Sequence, residues 1–102
     1  MNVRNVVVLS EVADDLNDGK TFYDQSNPGV GDTFWDSLYA DIESLTVYAG
    51  IHPRKDGLYR MLTKRFPYAI YYEISDEVAY VVAVLPMRRD PRWIQAHLQD
   101  RG

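Results

Sequence analysis

Two hydrophobic rhythms divide this chain, a helical one in its first half and a β one in its second. Val6, Val7 and Val8 form a β-branched run inside residues 5–9, which predicts a short strand. Val12, Leu16, Gly19 and Tyr23, with Ala13 beside them, then fall at helical spacing, so the chain from about Glu11 to about Gln25 reads as a helix. Ser10 offers the hydroxyl of an N-cap, and Glu11, Asp14 and Asp15 suit the positive end of a helix dipole. Ser26-Asn27-Pro28-Gly29 is a cluster of turn formers. A second stripe, Phe34, Leu38, Ile42, Leu45 and Ala49, starts near Gly31 or Asp32 and is closed by Gly50 as a left-handed terminator. Asp32, Asp36, Asp41 and Glu43 lie off that stripe and are expected in solvent. The short connection makes the two helices an antiparallel hairpin.

From Leu58 the period changes. Tyr59, Met61 and Thr63 alternate with Leu58, Arg60, Leu62 and Lys64. Tyr68 to Ile74 is rich in aromatics, and Val78 to Leu85 is apolar throughout, as a central strand covered on both faces must be. Ser75-Asp76-Glu77 is short enough to be a hairpin turn between these two strands. Asp90-Pro91 reads as the N-cap and first residue of a terminal helix carrying Trp93, Ile94 and Leu98. The expected order is β-α-α-β-β-β with a C-terminal helix. It describes an α+β fold with a helical hairpin on a mainly antiparallel four-stranded sheet.

Composition narrows this picture without changing it. A chain of 102 residues, 46% hydrophobic and 25% charged, fits one globular domain over residues 1–102. Cysteine is absent, which excludes disulfides and thiolate metal sites and suits the cytoplasm. Residues 1–10 lack the apolar run of a signal peptide, and no segment has the length of a membrane span, so no membrane partner is expected. The net charge of −4 is unevenly spread. Residues 1–57 carry ten acids and four bases, whereas residues 58–102 carry five acids and seven bases. That balance argues against direct nucleic-acid binding outside a larger complex, and leaves room only for a local basic patch.

Three blocks give the sequence a family character: Pro28-Gly29-Val30-Gly31-Asp32-Thr33-Phe34, then Leu62-Thr63-Lys64-Arg65-Phe66-Pro67-Tyr68-Ala69-Ile70-Tyr71-Tyr72, then Ala83-Val84-Leu85-Pro86-Met87-Arg88-Arg89-Asp90-Pro91. In this order and spacing the chain resembles the ParE-like, plasmid-stabilisation branch of the RelE/ParE toxins. The Lys-Arg-Phe-Pro-Tyr and Arg-Arg-Asp-Pro blocks are the specific part. The resemblance implies a toxin of a type II toxin–antitoxin pair, neutralised by a cognate antitoxin whose C-terminal segment wraps around it. It also implies one of two activities: binding a protein target such as DNA gyrase, as in the ParE branch, or cutting mRNA in the ribosome, as in the RelE branch. A non-toxic orphan binding domain is the third reading, since folds outlive functions.

Cleavage through a 2′-OH needs proton transfer and stabilisation of negative charge. The RNase candidates are Arg60, Arg65, Arg88 and Tyr72. The candidates for target or antitoxin binding are Arg60, Lys64, Arg65, Arg88, Arg89 and Trp35. Where the family often has a histidine just before the arginine pair, this chain has Pro86, which cannot move a proton. Enzymatic activity is therefore the less favoured reading. Each candidate also has a structural alternative. Arg60 can pair with Glu73 across the strands or with an acid of the helical hairpin, and Asp90 can simply cap its helix while Arg89 pairs with an acid. Lys64-Arg65 can be a solvated turn, and Trp35 an anchor at the edge of the hairpin. Tyr68 to Tyr72 suits packing, as do His52 and His97, neither of which falls at a family catalytic position. Gly29 and Gly31 lack the Lys-Ser/Thr ending of a phosphate loop. Asp14, Asp15 and Asp18 read as one solvated face, and no spacing suggests a metal or a cofactor.

Overall fold

The computed structural model describes residues 3–101. Met1 and Asn2, the start of the N-terminal run considered above, lie outside the described residues, as does Gly102. In chain order come β1 (Asn5–Val8), α1 (Glu11–Ser26), α2 (Val30–Glu43), the single turn α3 (Leu45–Tyr48), β2 (Arg54–Lys55), β3 (Leu58–Leu62), β4 (Tyr68–Ser75), β5 (Val78–Pro86) and α4 (Pro91–Arg101). The sheet runs β1-β5-β4-β3-β2. β1 lies parallel to β5, and the other pairs are antiparallel. The helical hairpin, α3 and strands β2 to β4 separate β1 from β5, and a parallel pairing needs such a long connection.

The stripe Phe34, Leu38, Ile42, Leu45 and Ala49 is buried throughout and meets Tyr68, Ile70 and Tyr72 from one face of β4. Ala69, Tyr71, Ala83 and Leu85 point to the opposite face, where Leu98 of α4 packs on them. β4 and β5 are therefore covered on both sides, which accounts for their lack of a polar face. The fold is the expected α+β arrangement, with five strands rather than four. The extra strand exists because Asp56 and Gly57 both take positive φ (55° and 83°) and fold Arg54–Lys55 back on Leu58 and Tyr59. A two-residue turn with this geometry matches the twist of a hairpin, and Asp-Gly is its favoured sequence.

The second helix stops at Glu43 instead of running to Ala49. The Ser44 hydroxyl donates to the Asp41 carbonyl (2.6 Å) and competes with the main-chain ladder there. The helical spacing of the stripe survives the break, and Gly50 has φ 96° as expected. Ser10 does not cap α1 with its side chain, because the residue is itself helical (φ −58°, ψ −33°) and its hydroxyl donates to Glu11. The Leu9 and Ser10 carbonyls accept the first main-chain N–H groups instead. Asp90 does cap α4, accepting from the Arg92 N–H at 2.7 Å.

The start of α2 is held from outside itself. Asp24, near the end of α1, accepts from the N–H groups of Gly31 (2.7 Å) and Gly29 (3.2 Å). Those are the orphan donors of a helix start. A Cβ at Gly31 would come within 2.6 Å of all three Asp24 carboxyl atoms, and Gly29 has φ 94°. Both glycines therefore serve the hairpin connection. Lys20 lies 3.0 Å from Asp24 and, with those N–H groups, holds its carboxyl below the ordinary range.

Two acids expected in solvent are buried. Asp41 (4% exposed) accepts from the Lys64 N–H at 3.1 Å and so ties α2 to the end of β3. Asp15 (6% exposed) has a larger role at the sheet edge.

Candidate functional site

The site begins with an irregularity in β5. Tyr71 pairs with Ala83 but Tyr72 with Val81, so Val82 is the extra residue of a bulge. The bulge turns both Val82 and Ala83 toward the α4 face. β1 ends opposite Val81, and beyond that point the edge of β5 has no neighbouring strand. Its free main-chain groups are taken by side chains. The Val84 N–H donates to Asp15 (2.9 Å), and the Val82 carbonyl accepts from Arg101 (3.3 Å).

Asp15 and Arg101 also bind each other with two parallel hydrogen bonds, one of them 2.7 Å. Their side chains are 4% and 10% exposed. The Asp15 carboxylate raises the pKa of Arg101 further and keeps it charged. His97 stacks on Trp93 (4.6 Å) and reaches Arg101 at 3.0 Å. This clasp fixes α4 against the sheet, with α1 holding it from the far side of the β5 edge.

Between α4 and the sheet lie two adjoining cavities, a wide one of about 790 Å³ along Leu98, Gln99 and Arg101 and a smaller, basic one of about 180 Å³. Arg60 enters the smaller one from β3, Lys55 from β2, and Arg89 from the loop before α4. Arg60 stands opposite Tyr71 in the sheet register. Burial pushes the Tyr71 hydroxyl up, against the opposing pull of the Arg60 guanidinium. The Arg60 Nε atom is buried without a hydrogen-bond partner. The cross-strand pair with Glu73, one of the structural alternatives for Arg60, does not form. Among the described residues, Arg60 belongs to no ion pair. Arg89 lies over the Trp93 ring (4.5 Å), a contact that holds the guanidinium at the mouth of the cavity. One acid, Asp56, is present, and it accepts from the Gln95 amide at 3.2 Å.

The other candidates lie elsewhere. Arg88 turns away from Arg60, rests on Phe22 of α1 (4.2 Å) and lies beside Tyr68. Lys64 and Arg65 line a separate groove against α2, together with Asp36 and Asp41. Trp35 is half-buried at the edge of the hairpin-side core. Tyr72 cannot meet a substrate, because it is fully buried beneath the hairpin. Its hydroxyl accepts from the Gly50 N–H (2.9 Å) and shares a hydrogen bond with His52 Nδ1 (2.5 Å), and its ring stacks on Tyr59. The structure thus brings Arg60 and Arg89 together and separates them from Arg88, Lys64, Arg65 and Tyr72. Lys55 and Tyr71 join them; Lys55 was not singled out in the sequence, and Tyr71 was read there as one of the packing tyrosines of residues 68–72. Lys55 became visible only with the Asp56-Gly57 turn. The alternation of β4 already put Tyr71 on the face opposite Tyr72. Among the described residues no group of three acids or histidines could hold a metal ion, and no helix is long and apolar enough to cross a membrane.

Known proteins supply the remaining findings. No curated protein matches the chain. One solved structure, described as the chromosomal ParDE TA system from P. aeruginosa, is similar over 80% of this chain and 94% of that one, with TM-score 0.72 and 11% identity. At that identity the likeness concerns the fold. The family model described as "ParE toxin of type II toxin-antitoxin system, parDE" matches residues 6–91, from β1 through the sheet to the first residue of α4. Because that match covers most of the chain, the chain belongs to the ParE toxin family of type II toxin–antitoxin systems.

Proposed function

We propose that this chain is the toxin of a type II toxin–antitoxin module, acting in the cytoplasm by binding a protein target such as DNA gyrase and neutralised by a cognate antitoxin. Family membership supports the toxin reading. The basic cavity beside α4 supports binding rather than chemistry, because it concentrates Lys55, Arg60 and Arg89 without supplying a proton-transfer group near neutrality. No histidine lines it, and burial pushes Tyr71 away from the pH range in which a general base works. His52 is engaged with Tyr72, and His97 with the clasp.

Expression in a bacterial host without antitoxin, followed by colony counts, is the first test. Growth should arrest, and co-expression with the product of the adjacent small gene should restore it through a stable complex. Purified gyrase should lose supercoiling activity in the presence of the chain. Cleavage of translated mRNA on purified ribosomes, with gyrase unaffected, would replace this reading with the endoribonuclease one. Normal growth would leave an orphan binding domain.

A further inference from the structure

We propose that the basic cavity between α4 and the sheet is a carboxylate subsite that receives one acidic side chain, preferably glutamate, from a peptide of the protein partner, with Arg60 as its anchor. The inference rests on the binding reading above and specifies the chemistry of that face.

The first observation is an unmet donor. The Arg60 Nε–H is buried with no acceptor, and among the described residues no acid pairs with the guanidinium. A buried charged donor left unsatisfied is costly, and an arriving oxyanion removes that cost. Carboxylates fit the planar guanidinium fork two oxygens at a time. Lys55 and Arg89 line the same cavity and outnumber Asp56, so its field is positive. Gln95 already donates to Asp56, which draws that carboxylate toward α4.

The second observation is size and lining. The space that Arg60 lines is about 180 Å³, below the roughly 300–1,000 Å³ of ordinary small-molecule pockets and sized for one side chain. The wider cavity of about 790 Å³ that shares Asp56 and Gln95 leaves room beside it for the rest of a peptide. Leu85, Pro91 and Ile94 give the smaller space apolar walls. They suit the two methylenes of glutamate better than a hydrated phosphate.

The third observation is the rim. Leu62, two residues from Arg60 on the same face of β3, is 51% exposed, and Met87 at the cavity is 43% exposed. They offer contact to apolar residues flanking the acid in an amphipathic segment. A single carboxylate is balanced locally by Lys55, Arg60 and Arg89, whereas the many phosphates of a nucleic acid would extend beyond them onto a chain of net charge −4.

Nitrogen-detected NMR of the arginine Nε–Hε groups tests this with the full chain. The probes are N-acetylglutamate amide, its neutral isostere N-acetylglutamine amide, and inorganic phosphate. The Arg60 Nε–Hε resonance should move saturably with the glutamate probe alone. Binding should weaken at least about tenfold in Arg60→Gln, as expected for losing a bidentate charge-assisted pair. It should weaken several-fold in Arg89→Gln, an exposed position whose replacement leaves the fold intact. Equal responses to glutamate and glutamine probes, no response, or tighter binding of phosphate would each overturn the subsite. Colony counts on the same proteins separate the two claims. Growth arrest without glutamate binding removes the subsite and keeps the toxin, whereas glutamate binding without growth arrest does the reverse.

Discussion

At the scale of the residue, two side chains show how the surroundings decide between opposing effects. Gly19 sits mid-helix, where alanine is favoured by about 1 kcal/mol. A Cβ there would lie 2.3 Å from Cζ of the fully buried Phe34 and 3.1 Å from the Tyr68 hydroxyl. Overpacking of this kind costs about 1–3 kcal/mol, so the clash outweighs the propensity. Gly19→Ala should lower the melting temperature by several degrees in a calorimetric scan. An unchanged or higher value would show that the ring can give way. His52 carries a pH dependence. Burial lowers its pKa below the ordinary 6.5. The Tyr72 hydroxyl, which hydrogen-bonds both the Gly50 N–H and His52 Nδ1, is neutral and offers a charged imidazole no counter-charge. The unfolded chain therefore binds this proton more readily than the folded one. Stability should be constant above the unfolded pKa, fall as the pH drops through 6.5, and level off below the folded pKa. Urea titrations between pH 5 and 8 should show that slope, and His52→Gln should flatten it.

Among elements, those specified by local chemistry were legible, and those held by distant partners were not. The stripe Phe34, Leu38, Ile42, Leu45 and Ala49 set the buried face of the second helix even across the break at Ser44, because a one-residue interruption keeps the helical spacing. Asp90-Pro91 and Gly50 act within a turn of themselves and behave as their residue types predict. β2 was readable in principle, since Asp56-Gly57 is a strong hairpin signal, but two residues carry no alternation of their own. By contrast, Asp15 and Asp41 look like solvated acids on a helix. Their burial depends on Val84 and Arg101 for the one and on Lys64 for the other, tens of residues away. The same limit applied to the candidate site. Arg60 and Arg89 were identifiable as basic residues on or near strands. That they share a cavity while Arg88 faces α1 follows from the β5 bulge and the seating of α4, and no local pattern encodes either.

The whole molecule has two apolar layers on opposite faces of one sheet, and the Asp15–Arg101 clasp is the polar link between them. The hairpin-side layer is the larger, and the α4 layer rests on few buried residues, chiefly Ala69, Tyr71, Ala83, Leu85 and Leu98. A single terminal helix with so small an apolar footprint would fray on its own. The clasp ties it to α1 and satisfies the free edge of β5 at the same time. Removing one member leaves the other charge buried and unpaired, a loss of about 3–5 kcal/mol, whereas replacing both with apolar residues is much milder. Trp93 on α4 and Trp35 on α2 report on the two layers separately. In denaturant titrations of the two single-tryptophan proteins, both signals should unfold together. Adding Arg101→Met should bring the Trp93 transition to lower denaturant, ahead of Trp35, and pairing it with Asp15→Leu should bring the two back toward coincidence. If Arg101→Met shifts both signals equally, α4 is part of the global cooperative unit. The cavity beneath it would then be as rigid as the sheet, and a partner's acidic side chain would have to enter a preformed site.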